Sequence, residues 1–179
     1  MIGNVSGVAT LSGLFFLANE VLPELESQMD TKNLEIHIVG GGELQEDLKV
    51  SFNKPYIKLR GYVNQIEPEY LNCDVFLVPT TIELGFRTRI AEGFSLGCCT
   101  IAHQSNQLGM PELISGENCL LAATGKEMAN QIRACYQSQE LRKRLSQSAL
   151  ATYHEKLNGE MICNQMVDDI EKVIHRDET

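Results

Sequence analysis

Arg87-Thr88-Arg89 and Glu92 open a stretch of helical spacing, directly after a wholly apolar run at residues 75–78 and a glycine-containing loop. A strand that passes through a loop into a helix leaves free N–H groups and a positive dipole at the helix start, which suits a phosphate. Arg87 and Arg89 add positive charge at that point, and Thr88 offers a hydroxyl as a helix cap. Glu92 follows Thr88 by four positions, on the same helix face and about 6 Å further along. A carboxylate so near a phosphate is repelled unless donors reach it, and the two vicinal hydroxyls of a ribose are such donors. Phosphate at Thr88 and ribose at Glu92 together describe a nucleoside diphosphate site. The same spacing describes equally well a capped surface helix with a solvated glutamate and arginines paired with acids.

Other chemistries have little to stand on. HExxH, P-loop and serine-elbow patterns do not occur, and Gly40-Gly41-Gly42 without a full GxGxxG is poor evidence for a dinucleotide. No Asp-x-Asp pair is present, and Asp168-Asp169 lies on a helix far from the strand ends, so no metal site is expected. His103 follows a strand end and is a candidate to face the site. His37 reads as structural, and His154 and His175 as solvated helix residues.

The elements that must position these residues alternate. Short apolar runs at 2–5, 34–39, 56–59, 75–78, 98–102 and 118–122 read as strands. Helical spacing spans 11–29, where Pro23 predicts a kink or break, and then 43–52, 67–73 and 88–96. A helical turn is expected at 109–114 and helices at 126–138, 140–157 and 160–175. This order predicts an α/β fold: a Rossmann-like open parallel sheet of about six strands, helices on both faces, and a helical C-terminal tail. No repeat or linker divides the chain, so residues 1–179 read as one domain. Ligands of such sheets bind outside the carboxyl ends of the strands, here residues 4–7, 40–42, 60–63, 80–87 and 103–108.

Composition narrows the class. Fifteen Lys and Arg against 24 Asp and Glu give a net charge of −9. That balance argues against nucleic acid and against an anionic membrane surface. A chain of this length buries roughly 70% of its unfolded surface, enough for a sizeable core. The longest unbroken apolar patch, 14–18, is far shorter than the about 20 residues of a membrane span, and no charged leader precedes it. No membrane segment is expected, and the chain reads as soluble and cytoplasmic. The six cysteines form no CxxC pair and read as reduced and buried.

Several motifs taken together resemble the C-terminal, nucleotide-sugar-binding domain of GT-B glycosyltransferases of family 4, glycosyltransferase group 1. They are Gly3-Asn4-Val5-Ser6, Ile38-Val39-Gly40-Gly41-Gly42, Leu59-Arg60-Gly61-Tyr62-Val63, Asp74-Val75-Phe76-Leu77-Val78-Pro79, Gly109-Met110-Pro111-Glu112-Leu113-Ile114 and Gly116-Glu117-Asn118-Cys119-Leu120-Leu121. The resemblance covers nearly the whole chain. It implies a family motif Glu-x7-Glu, whose second Glu grips the ribose, whose first contacts the donor sugar, and whose intervening amides hold the phosphates. Glu92 matches the second position. The first falls on Leu84, with Glu83 one residue early. Two arrangements stay open: Glu83 serves through a one-residue bulge, or loop amides at Phe86 and Arg87 hold the sugar. The family often carries Arg and Lys after the first strand. Residues 6–10 here have neither, which leaves Arg87 and Arg89 as substitutes.

The resemblance further implies that the base lies against Arg60-Gly61-Tyr62-Val63 and is bordered by Gly41, with Asn4 also at the site. Glu83, Arg87 and Arg89 would act on the reacting sugar diphosphate. The expected function is the donor half of a retaining enzyme that moves a hexose from a UDP-sugar, by default UDP-glucose, to a sugar acceptor in polysaccharide biosynthesis. No cofactor or metal is implied. The acceptor domain would precede this chain, which alone is expected to bind the donor without transferring it. A non-catalytic nucleotide-sugar-binding module and half of a GT-B sugar-nucleotide epimerase are the alternatives.

Overall fold

The computed structural model describes residues 1–83 and 85–176, with side chains through Lys172. Five strands form: β1 (Ile36–Val39), β2 (Ile57–Gly61), β3 (Phe76–Val78), β4 (Thr100–His103) and β5 (Leu120–Ala122). Every pairing is parallel, in two groups, β1–β2 and β3–β4–β5. The expected first strand is reduced to a single parallel bridge between Ile2 and Val39. The chain leaves the pairing at once, because the Gly7 N–H donates to the Asn4 carbonyl at 3.0 Å and closes a turn. The α/β architecture with a helical C-terminal end thus stands, with five strands rather than six.

The first helical stretch holds a second difference. It runs from α1 (Val8–Phe16) through a π-helical turn (Leu17–Val21) into α2 (Leu22–Gln28), with Pro23 in the first turn of α2. There is no break. The wider turn ahead of Pro23 accommodates the missing N–H and the ring. Leu14, Leu17, Val21, Leu22 and Leu25 are all fully buried. This 21-residue stretch, of hydropathy 1.3, is long and apolar enough to cross a membrane, which its longest unbroken patch did not reveal; half of it is buried inside the fold.

The remaining helices are α3 (Glu46–Ser51), α4 (Glu67–Leu71), α5 (Thr88–Ser95), α6 (Gly125–Gln137), α7 (Gln139–Thr152) and α8 (Gly159–Arg176), with a second π turn at Tyr153–Leu157. Alternating strand residues feed two core layers. Leu77 and Ile101 join the layer under α1, α2 and α6; Phe76, Val78 and Ala102 join the layer under α5 and α7. That is why β3 is apolar at every position: both of its faces are covered. Cys98, Cys99, Cys119 and Cys135 are buried free thiols, Cys73 is half-buried and Cys163 is exposed. The turn expected at 109–114 forms as a single turn, the Leu113 N–H donating to the Met110 carbonyl at 3.1 Å, and a 3-10 helix at Gln104–Gly109 precedes it. There the buried Asn106 amide donates to the Thr80 and His103 carbonyls at 3.2 and 2.7 Å and joins the ends of β3 and β4.

One backbone crossing fixes the upper edge of the sheet. Gly40 has φ +146, and a Cβ there would stand 1.8 Å from the Gly3 carbonyl oxygen. Gly40→Ala should therefore cost about 2–3 kcal/mol, a fall of about 5–10 °C in thermal midpoint. Gly85→Ala, where a Cβ meets nothing within 4 Å, is the control and should melt like the parent. Equal melting of all three proteins would show that the Gly40 crossing is not under this constraint.

Candidate functional site

Three loops meet at the carboxyl ends of the first bridge, β1 and β2. The Asn4 Oδ1 accepts the Ser6 N–H at 2.9 Å. The Ser6 hydroxyl donates to the Glu43 carbonyl at 3.1 Å and accepts the Glu43 N–H at 3.0 Å. The Val5 N–H donates to the Gly41 carbonyl, and the Gly40 N–H to the Gly61 carbonyl, at 3.0 and 2.8 Å. A Cβ on Gly41 would lie 3.7 Å from the Tyr62 Cβ, and Tyr62 itself is 77% exposed. Asn4, Gly41, Gly61 and Tyr62 thus share one continuous surface, with half-buried Val63 next in the chain. Arg60 departs from it: its guanidinium pairs with Glu69 of α4 at 3.1 Å. At this position the backbone, and not the side chain, remains to meet a ligand.

At the start of α5 the cap position is Arg87, with no side-chain cap bond. Thr88 is the first helical residue, so its expected capping role is not realised, and the first amides of α5 carry no side-chain acceptor. Arg87 is only 8% exposed. Its Nη2 donates to the Ile82 carbonyl at 2.6 Å, and its Nε is buried without a partner. Arg89 donates from Nη1 to the Thr10 hydroxyl at 3.3 Å and lies against Gly3, where a Cβ would stand 2.5 Å from it. Burial lowers the pKa of both guanidiniums, and for Arg87 the charge of Arg89 lowers it further. Among the described residues neither has a carboxylate within ion-pair distance. The arginine–acid pairing that the sequence left open is not what forms. Two partly desolvated cations beside helix amides that no side chain caps are an arrangement suited to an anion.

Glu92 is exposed on α5 and accepts the Tyr70 hydroxyl at 2.9 Å. Tyr70 is 1% exposed, and its ring packs edge-on against Phe76 at 5.0 Å. Sequence reading overlooked both Glu69 and Tyr70, neighbours on α4 that hold Arg60 and Glu92 respectively. The one available signal was an acid next to a tyrosine in a short helix that reads as nothing but surface. Glu83 and Phe86 are exposed on the loop before α5, and Leu84, the position matching the first motif Glu, lies outside the described residues. His103 ends β4, bonded through Nδ1 to the Ser105 hydroxyl at 2.9 Å and packed edge-on against Phe16. Its burial lowers its pKa. It borders a cavity of about 500 Å³ with Ser12, Phe15 and Glu20, on the α1 side and away from Glu92. Among the described residues no three His, Cys, Asp or Glu side chains cluster as metal ligands.

The arrangement has relatives. The structure of Anabaena Alr3699/HepE in complex with UDP superposes with a TM-score of 0.79 at 18% identity, covering 96% of this chain and 48% of that one. A glycosyltransferase from Rickettsia africae ESF-5 gives 0.77 at 14% identity over 97% and 47%. The C-terminal domain of a glycosyl transferase group 1 family protein (LpcC) from Francisella tularensis gives 0.67 at 16% identity, over 87% and 84%. The chain spans about half the length of the first two. No curated protein matches it in sequence. The family model for glycosyl transferases group 1 matches residues 1–138. The chain belongs to glycosyltransferase group 1 and has the Rossmann-like fold of the C-terminal half of a GT-B enzyme.

Proposed function

We propose that this chain is the donor-binding half of a retaining glycosyltransferase that moves a hexose from a UDP-sugar, UDP-glucose by default, to a sugar acceptor. The observation that carries this reading is the pair Arg87 and Arg89, without carboxylate partners among the described residues, at the uncapped start of α5. A diphosphate supplies the charge that this corner lacks. Glu92, four residues on, takes the ribose hydroxyls. The surface of Gly41, Gly61, Tyr62 and the Arg60–Val63 backbone takes the base. Glu83, or the amides of Phe86 and Arg87, meets the sugar. Crystals of HepE with UDP, with UDP and glucose, and with UDP-glucose support this class of ligand.

The reaction then depends chiefly on the leaving group. As the glycosidic bond to the diphosphate breaks, negative charge grows on the phosphate oxygens. The α5 amides and the positive charge of the two guanidiniums stabilise it. The acceptor, and the closure that excludes water around it, fall to a further domain of the kind that makes up the rest of the relatives' length. No divalent ion enters this scheme, since the arginines and amides carry the charge.

Calorimetric titration tests these roles. Glu92→Ala removes acceptors from the ribose, and bonds to a charged group contribute about 1.5–3 kcal/mol each, so UDP affinity should fall at least about tenfold with an unchanged circular dichroism spectrum. An unchanged dissociation constant would remove Glu92 from the site. Arg87→Ala or Arg89→Ala should weaken UDP far more than uridine, and equal losses would place the arginines away from the phosphates. UDP binding in excess EDTA should match binding without it, and its loss there would reveal a metal requirement.

A further inference from the structure

We infer that Tyr70 is a positioning residue for the ribose site: its buried hydroxyl fixes the Glu92 carboxylate so that the free oxygen faces a nucleotide's sugar. The inference rests on the proposed role of Glu92 and adds the residue that orients it.

Tyr70 is held on every side. Its ring is 1% exposed and packs edge-on against Phe76 of β3. Its carbonyl accepts the Cys73 thiol at 3.2 Å and the Cys98 thiol at 3.6 Å. The hydroxyl therefore emerges at a fixed point beside α5. There it meets Glu92 Oε2 at 2.9 Å, with the Arg89 carbonyl a longer 3.3 Å away. Burial, and then the bond to Glu92, push the Tyr70 pKa well above the ordinary phenol range. A phenol that stays protonated has one proton to give, and the nearer acceptor is the carboxylate.

The consequence falls on Glu92. A glutamate on an exposed helix face ordinarily samples several rotamers, and a ligand must select one at an entropic cost. Here Oε2 is held by Tyr70, while among the described residues Oε1 has no hydrogen-bond partner and is free to accept. The same tether keeps the carboxylate from turning toward Arg89, one helical turn back, whose guanidinium would otherwise compete with the ribose for it. Arg89 instead reaches Thr10. Carboxylate and guanidinium, three residues apart on one helix, remain separate and unpaired, each available to a different part of one ligand.

The test compares UDP with 2′-deoxy-UDP, titrated into this chain. The ratio of their affinities reports the ribose contact alone and cancels any general loosening of the fold. The parent should prefer UDP by about tenfold, and Tyr70→Phe, which keeps the ring, should reduce that preference at least about threefold. In the double variant with Glu92→Ala, the preference should be no smaller than in Glu92→Ala alone, because the hydroxyl then has nothing to orient. Replacement of Tyr70 by 4-aminophenylalanine keeps a donor at the same point and does not depend on the phenylalanine variant folding. It should hold the preference within about twofold of the parent. An undiminished preference in Tyr70→Phe, or a preference in the amino variant as low as in Glu92→Ala, overturns the inference. If Glu92→Ala itself leaves the preference intact, the ribose assignment fails first, and that result is distinct from either of these.

Discussion

The contact between the Gly40 α-carbon and the Gly3 carbonyl leaves no room for a side chain, and three loops take their positions from it. Gly40 passes its N–H to the Gly61 carbonyl, which sets the loop after β2. Gly41 passes its carbonyl to Val5, which sets the loop after the first bridge. Gly42, at φ +109, sits where a Cβ would strike the Asn4 side chain. The backbone surface at these strand ends is therefore built by close packing of main chain on main chain. Gly3 is also where Arg89 comes to rest, so the same crossing reaches the start of α5.

That corner runs against the charge of the molecule. The chain carries −9 overall, yet the start of α5 presents two guanidiniums whose partners among the described residues are neutral oxygens. An acidic surface repels stray anions, while a local positive site in a partly desolvated setting holds one with the right geometry. Glu92 lies four residues beyond Thr88 and would collapse onto this charge if left loose. The carboxylate is instead held by the Tyr70 hydroxyl. Charge and restraint sit on different elements: α5 carries Arg89 and Glu92, and α4 holds Glu92 through Tyr70.

Much of this was legible in the residues. The helix start at 87–89 and the four-residue step to Glu92 follow from local chemistry and chain geometry, both of which are short-range. The β3 run betrayed its double burial through its unbroken apolar character. What escaped was long-range. The partnership of Arg60 with Glu69 and of Glu92 with Tyr70 depends on where α4 lands, and a five-residue helix leaves no periodicity to read. The sixth strand failed because a turn begins at Asn4, a competition between pairing and turning that propensity does not decide. Pro23 predicted a kink or a break; the surrounding leucines keep the helix continuous, and the irregularity appears one turn earlier, as a wider coil.

The strictly parallel pairing also shapes how the chain reaches its native state. Ile36 meets Ile57, Phe76 meets Thr100 and Ile101 meets Leu120. Each meeting requires an intervening helix or 3-10 turn to cross the sheet first. Among the described residues no hairpin exists to zip from a local turn, so every ladder must await a loop closure of substantial entropy. Folding of such a topology is slow relative to helical bundles of similar size. During that interval the apolar β3 run and the leucine-rich first helix are exposed together, and transiently exposed apolar segments of this kind associate between chains before the sheet closes.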